Sequence, residues 1–407
     1  MLPRIAWRNV WRNKRRSALT MAASATGLAM LIITFGLGDG IHKQLIDNAT
    51  RTSLGHVQVF AQGYRDDPLP EHAIKDPDAV LAAMTGLEAR ALPRVTASGL
   101  VASAENSVGA AIIGVDPALE AAATRVPRTI EAGSYLDPAS KTADIVVGRA
   151  LAKRLRLRLG DKVVLLSQAA DGSMANALFR VRGVFHTGME DLDLGCVFIT
   201  LPRAQDFLAL GRRVTSFVVY SNDDSQVDAL RAELGRRLTH LGFQVLSWKE
   251  LDPSLQQAIQ LDDASIYILL LIVFFIVALG IINTLLMSVF ERTREFGVLL
   301  AMGMEPRDIV AMVSLESLAL GLLSLVGGVL LGALVTWRFQ THGIDLTKWT
   351  QGISFANALM EPVLYAKLRW ASVAKSCASV VVITLLSGLY PAFKAARLSP
   401  VECLRRG

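Results

Sequence analysis

Four stretches of this chain carry almost no charge. Residues 17–38, 264–290 and 376–393 contain no charged side chain, and residues 309–337 contain only Glu316. At a helical rise of about 1.5 Å per residue, runs of this length cross a hydrocarbon layer of about 30 Å. A buried core helix seldom runs so far without a charge on any face. The pattern therefore predicts an α-helical membrane protein with four transmembrane helices at 17–38, 264–290, 309–337 and 376–393. A large α/β domain, residues 39–263, lies between the first two.

Within that domain the periods change. Residues 56–62 alternate as a strand does, with Val57, Val59 and Ala61 on one side. Asp76-Pro77 opens a helix, the carboxylate as cap and the proline in the first turn. Strands are expected at 96–104 and 108–115, then a short strand and a helix across 145–157. Gly160-Asp161 turns the chain, and 163–168 pairs with 177–184. That leaves 169–176, with its Asp171-Gly172 turn, as an exposed hairpin tip, either a polar loop or a binding element. A strand at 216–221 precedes a helix with Val227, Leu230, Leu234, Leu238 and Leu241 on one face and Gly242 at its end. A last strand covers 243–246. The two ends of the domain, about 40–124 and 212–250, thus make one α/β unit, with a smaller β-rich insert at about 125–211.

Composition and charge sharpen this picture. Hydrophobic residues make up 52% and charged ones 19%, below the quarter or so of a soluble domain. The net charge of +6 is unevenly placed. Residues 39–263 hold slightly more acidic than basic side chains, so the excess flanks the apolar runs, which argues against a nucleic-acid-binding face. Arg4, Arg8, Arg12, Lys14, Arg15 and Arg16 precede the first run with no acidic residue among them. The positive-inside bias then predicts a cytoplasmic segment 1–16, an external domain 39–263, an internal loop 291–308, an external loop 338–375 and an internal tail 394–407 containing Lys394, Arg397, Arg405 and Arg406. Ala23-Ser24-Ala25 fits a signal-cleavage pattern, but it lies too close to Arg16 to follow an apolar signal core, so an uncleaved anchor is expected.

Catalytic chemistry is not apparent. No glycine precedes a lysine, so there is no GxxxxGK[ST] phosphate loop, and GxSxG and HExxH are also missing. The expected topology puts Cys196, Cys377 and Cys403 in three different compartments, which excludes an internal disulfide. Glu190, Asp191 and Asp193 sit close together and are read as solvated loop carboxylates, with a catalytic or calcium role as the alternative. The spans hold little to line a hydrophilic path beyond Asn283, Thr284, Glu316 and some serines. Gly328 and Gly332 form a GxxxG that suits close helix packing, within the chain or between subunits. Glu316, about two turns into its span, calls for a basic partner or water.

Residues 291–303 begin with charge, continue apolar and end on glycine, as a short helix at the membrane surface would. The segment Glu291-Arg292-Thr293-Arg294-Glu295-Phe296-Gly297, continuing through Leu299 to Gly303, resembles the coupling helix of permeases of the MacB/FtsX superfamily. Glu316 matches the acidic residue early in their third span. Residues 6–13, 147–152 with 159–163, and 390–392 with 399–402 resemble further motifs of that superfamily. Residues 53–59, 63–64 and 183–193 are most similar to its lipoprotein-releasing Lol permeases.

That resemblance implies an ABC transporter permease without enzymatic activity. A MacB-like periplasmic domain, split into a porter part and an inserted part, would transmit motion driven by a separate ATPase. ATP and Mg would sit on that partner, and this chain would bind no cofactor or metal. The localisation implied is the bacterial inner membrane. Implied partners are a cytoplasmic ABC ATPase dimer, a second permease copy or paralogue, a lipoprotein substrate, a periplasmic carrier and membrane lipids, with no nucleic acid. ATPase coupling falls to Glu291, Arg292, Arg294, Glu295, Phe296, Gly297, Leu299 and Gly303. The family's carrier hook corresponds to Ala169, Asp171, Gly172, Ser173, Met174 and Asn176. An acylated substrate would need an apolar pocket, for which Ile33, Phe35, Ile266, Leu270 and Phe274 are candidates, lipid-facing packing being the plain alternative. The rivals are a MacB-type drug or peptide exporter, whose ATPase is commonly fused ahead of the first span, an FtsX-type regulator of a periplasmic hydrolase, and a tethered binding module with no ATPase.

Overall fold

The computed structural model describes residues 2–140, 142–221, 223–345, 354–355, 358–359 and 363–397, with backbone alone at 2–6, 224, 354–355 and 358–359. The Arg4 side chain, residues 346–353 of the 338–375 loop, the 399–402 motif, Cys403, Arg405 and Arg406 lie outside that description. The chain forms two compact units, one drawn from segments up to Lys43 and from Ile259 onward, the other from Gln44–Ala258.

Four helices dominate the first unit, Lys14–Ala49, Pro253–Glu291, Pro306–His342 and Trp370–Ala396. Each is long and apolar enough to cross a membrane. They outrun the uncharged windows because no breaker stops them at the first charge. Pro306 sits in the first turn of its helix, where a missing amide hydrogen costs nothing. Gly343, at φ +68°, ends that helix. Leu28, Leu31 and Ile32 of the first long helix meet Val273, Val277, Ile281 and Leu285 of the second, with Leu320 and Val380 from the third and fourth.

Small residues set the closest approaches. A Cβ on Gly328 would come within 2.8 Å of Leu28 and 2.9 Å of the Ala25 carbonyl, and one on Gly332 within 3.0 Å of the Ala29 Cα. Of the two uses foreseen for this GxxxG, the structure shows packing inside the chain, against the first long helix. The third and fourth helices close in the same way, with Gly321 on Thr384, Gly388 on Ser317, and the Ser317 hydroxyl donating to the Thr384 carbonyl at 2.8 Å.

The second unit is built on one ten-stranded sheet. Its strands are β1 (Val57–Ala61), β2 (Ala89–Ala102), β3 (Ser107–Val115), β4 (Ile130–Gly133), β5 (Asp144–Gly148), β6 (Lys162–Gln168), β7 (Met174–Phe185), β8 (Cys196–Thr200), β9 (Ser216–Ser221) and β10 (Phe243–Ser247). The order is β10-β1-β9-β2-β3-β8-β5-β7-β4, with β6 paired to both β2 and β7. Residues 89–94 of β2 pair with β9, and residues 99–102 pair with β6. The long β2 thus carries the sheet without interruption from the end-built part into the insert. Phe185 and Phe198, rings 5.4 Å apart, anchor the insert's core with Val146 and Leu192.

Several expectations need correcting. Strand β2 starts at Ala89, not 96, because Pro93, which reads as a strand breaker, is accommodated opposite Phe217. Strand β7 starts at Met174, paired with Gln168, so the hairpin loop is only 169–173, and Met174 and Asn176 belong to the strand. Leu241 lies in a terminal 3-10 turn and is exposed, off the apolar face of its helix. Residues 190–195 are a short helix instead of a loop, and Asp193 is buried, accepting hydrogen bonds from the Thr187 amide and hydroxyl and pairing with His186 at 2.5 Å. This carboxylate staples its own loop.

The glycine contacts make a prediction. Gly328→Ala forces a shift between two helices and should cost about 1–3 kcal/mol. Gly327→Ala meets only the Ala25 Cβ at 3.6 Å and should be near neutral. Thermal unfolding of the detergent-solubilised chain separates the two, and equal effects would contradict the packing described.

Candidate functional site

The connecting helix Thr293–Ala301 joins the second and third long helices. Arg292 stands at its N-cap, and Gly303, at φ +94°, turns the chain out of it. One face is sealed inward. Phe296 is fully buried and packs with Val289, Ile309, Met312, Val313, Ala392 and Ala395, and Gly297 is buried beside it.

A line of alternating charges fixes this helix. Arg12 of the N-terminal helix Leu2–Arg12 donates to Glu295 at 2.7 Å, and Glu295 also accepts from Arg292 at 2.9 Å. Arg292 in turn reaches Glu316 at 3.2 Å, where both side chains are buried, and its guanidinium lies 5.1 Å from the centre of the Phe296 ring. Arg16 pairs with Glu291 at 3.1 Å. Burial opposes the charge on Glu295, yet hydrogen bonds from Arg292 and Arg12 outweigh it and hold that carboxyl below its ordinary range. Its contribution to stability is therefore complete above the ordinary carboxylate range and is lost as pH falls through the depressed value.

The other face is open. A groove of about 610 Å³ is bordered by Asn9, Arg292, Arg294, Glu295, Val298, Leu299, Met304 and Met312. Asn9 contributes a buried side-chain NH2 that has no hydrogen-bond partner among the described residues, an arrangement that costs about 1–3 kcal/mol until an acceptor arrives. Arg294, Val298 and Met302 follow one another at four-residue spacing along the exposed side, and Met302 is 71% exposed. Of the eight residues singled out for coupling, then, Arg292, Phe296 and Gly297 anchor the helix from within, while Glu291, Arg294, Glu295 and Gly303 are exposed and Leu299 is half-buried. Val298, Met302 and Asn9 were missed, although the four-residue spacing from Arg294 carried the signal for the first two.

The remaining candidates fall elsewhere. In the hairpin, Ala169 is buried, Gly172 takes φ +81°, and the Ser173 hydroxyl and amide donate to Asp171 at 2.6 and 2.9 Å, holding its carboxyl below the usual range. Met174, 82% exposed, and Asn176 point outward on β7. The five residues offered as a lipid pocket are half-buried, and four of them have named neighbours. Leu270 and Phe274 pack on the bundle core, Ile266 faces Gly38, and Phe35 lies beneath the Lys375 ammonium at 5.7 Å. That ammonium also donates to the Tyr267 hydroxyl at 2.6 Å.

Sequence reasoning also missed a buried cluster in the sheet unit. Arg94 of β2 donates to both Glu120 oxygens, at 2.7 and 3.2 Å, to the Tyr220 hydroxyl at 3.1 Å and to the Ser53 carbonyl at 2.6 Å. Burial pushes the Tyr220 hydroxyl up to about 12 against the opposing pull of Arg94, so it stays neutral. Ser53 belongs to the π-helical turn Thr50–Leu54 that follows the first long helix.

The family model for the MacB-like periplasmic core domain matches residues 17–237, and that for the FtsX-like permease C-terminal region matches 267–400. The lipoprotein-releasing system transmembrane protein LolC of Xylella fastidiosa is 26% identical, over 97% of this chain and 96% of its own length. The pyoverdine export ATP-binding/permease protein PvdT of Pseudomonas aeruginosa is 27% identical over 98% of this chain and 58% of its own length. Among solved structures, the periplasmic region of MacB from Actinobacillus actinomycetemcomitans overlays 52% of this chain and 97% of its own, at 15% identity and a TM-score of 0.37.

The charge line predicts non-additive substitutions. Arg292→Gln alone leaves the buried Glu316 carboxylate uncompensated and should cost about 3–5 kcal/mol in unfolding, whereas Glu316→Gln leaves Arg292 its bridge to Glu295 and should cost less. Arg292→Met combined with Glu316→Leu should recover most of that loss, as read by thermal unfolding in detergent. Additive losses would show that the two residues do not act as a pair.

Proposed function

The chain belongs to the MacB/FtsX superfamily of ABC transporter permeases, and from that premise we propose that it releases lipoproteins, drawing lipid-anchored proteins from the outer leaflet of the inner membrane for a periplasmic carrier. The observation that carries this reading is the alignment with LolC, which is nearly end to end for both chains. In this reading the groove beside Arg294 and Val298, with the exposed Met302 on the same side of the helix, receives a cytoplasmic ABC ATPase. ATP and Mg bind the ATPase, and this chain supplies no catalytic group.

The buried side of the connecting helix gives the mechanism its physical basis. A partner that pushes on Glu295 or Val298 displaces Phe296 and the N-cap Arg292 with them, because these share one helix, and Arg292 passes the displacement to Glu316 of the third long helix through their ion pair. Close-packed interiors transmit such displacements because they do not deform continuously. The motion would then travel up the first two long helices to the sheet unit, which works on cargo that never crosses the bilayer. The hairpin 169–173, with Met174 beside it, is the proposed contact for the carrier. A second permease, identical or related, completes the assembly.

Export of a small molecule is the second reading, favoured by the comparable identity to PvdT. Purification of the chain with its native neighbours, followed by mass spectrometry, distinguishes the two. Co-purifying acylated protein supports lipoprotein release, and a bound small molecule with no acylated protein overturns it. For the ATPase contact, Glu295→Ala with Gly297→Leu should lower ATPase association at least tenfold in pull-down, and unchanged association would remove this interface. Protease added to sealed vesicles should reach residues 44–258 from the face opposite the N-terminal arginines.

A further inference from the structure

The N-terminal helix Leu2–Arg12 presents two kinds of side chain that the bundle leaves unused. Trp7 and Trp11, 49% and 44% exposed, meet edge to face at 6.1 Å, while Val10 on another side of the helix is buried in the bundle core. Arg12 and Arg16 are taken up by Glu295 and Glu291. Arg8, Lys14 and Arg15 are exposed and have no ion-pair partner among the described residues. No acidic residue occurs before Asp39 to balance them.

Position narrows what such a surface meets. The helix ends at Arg12, one residue before the long helix that carries the uncharged run from Ser17, and the Ser17 hydroxyl donates to the Val10 carbonyl at 2.6 Å. Trp7 therefore stands within about 15 Å of the start of the hydrocarbon by helical rise. Exposed indoles at that depth settle in the headgroup layer, and unpaired cations beside them face its phosphates.

We infer that Trp7, Arg8, Trp11, Lys14 and Arg15 form a binding surface for anionic phospholipid headgroups, and that headgroup binding steadies the connecting helix through the Arg12–Glu295 bridge. An acidic protein surface would satisfy the cations alone, whereas a bilayer satisfies the indoles too. The inference requires that residues 17–38 enter a bilayer. It does not depend on the cargo.

The test uses the full chain in phosphatidylcholine vesicles with an increasing share of phosphatidylglycerol, read by hydrogen–deuterium exchange. Peptides covering 7–16 and 293–301 should both gain protection as phosphatidylglycerol increases, and high salt should remove the gain. Each basic residue near an anionic surface contributes about fivefold to binding. Arg8→Gln, Lys14→Gln and Arg15→Gln together should therefore weaken the response by about a hundredfold. Glu295→Gln should keep the response at 7–16 and abolish it at 293–301. Should the triple variant fail to insert, the salt dependence of the unaltered chain decides alone. Protection that is equal without phosphatidylglycerol overturns the inference. So does protection that appears in phosphatidylcholine only when the ATPase is added, which would make protein the occupant.

Discussion

A carboxylate inside a bundle meant for lipid must find a positive charge, and Glu316 finds Arg292. That requirement determines much of the first unit. Arg292 can reach Glu316 only as the N-cap of the connecting helix, so the helix starts where it does and lies against the third span. Phe296 then falls one turn further on, into the apolar seat made by Ile309, Met312, Val313 and two alanines of the fourth helix. Glu295 is left at the rim, where it collects Arg12 and brings the N-terminal helix alongside. Four side chains of alternating sign thereby connect a surface helix to the interior.

The sheet unit repeats this logic with a different outcome. Arg94 and Glu120 are as deeply buried as the pair in the bundle, and the guanidinium has further duties, holding the Ser53 carbonyl and the Tyr220 hydroxyl. The pair therefore joins β2 to the π-helical turn at Thr50–Leu54. Because β2 also pairs with β6, the strand held to Ser53 through Arg94 is shared by both parts of the unit.

Much of this was legible in the residues alone, and the exceptions have physical reasons. Absence of charge identifies a span without any knowledge of packing, so the four long helices were plain. The connecting helix was equally clear from its charged start and terminal glycine. Which arginine would serve Glu316 was not, because Arg292 and Arg294 differ only in helical phase, and that phase depends on where the helix begins. Pro93 hid the first half of β2, since a proline is harmless in a strand only when its neighbour asks for no hydrogen bond there. The hairpin loop was overestimated because Met174 and Asn176 look like loop residues until their pairing with β6 is seen. The proposed lipid pocket shows the opposite limit. Apolar residues near the end of a span are easily found, but whether they enclose a space or fill one depends on neighbours such as Gly38 and Lys375 that composition does not weigh.

The glycines of the third helix have one more implication. Gly328 and Gly332 are used up against the chain's own first helix, so what the third helix leaves exposed is bulky and branched, as with Leu322, Val326, Leu330, Leu331 and Leu334. A neighbour arriving through the bilayer at this helix would meet many interchangeable knobs of similar size and no single notch. Recognition of that kind is forgiving: point changes blur it without abolishing it, and a gene duplicate could drift a long way before two versions of the chain ceased to fit each other.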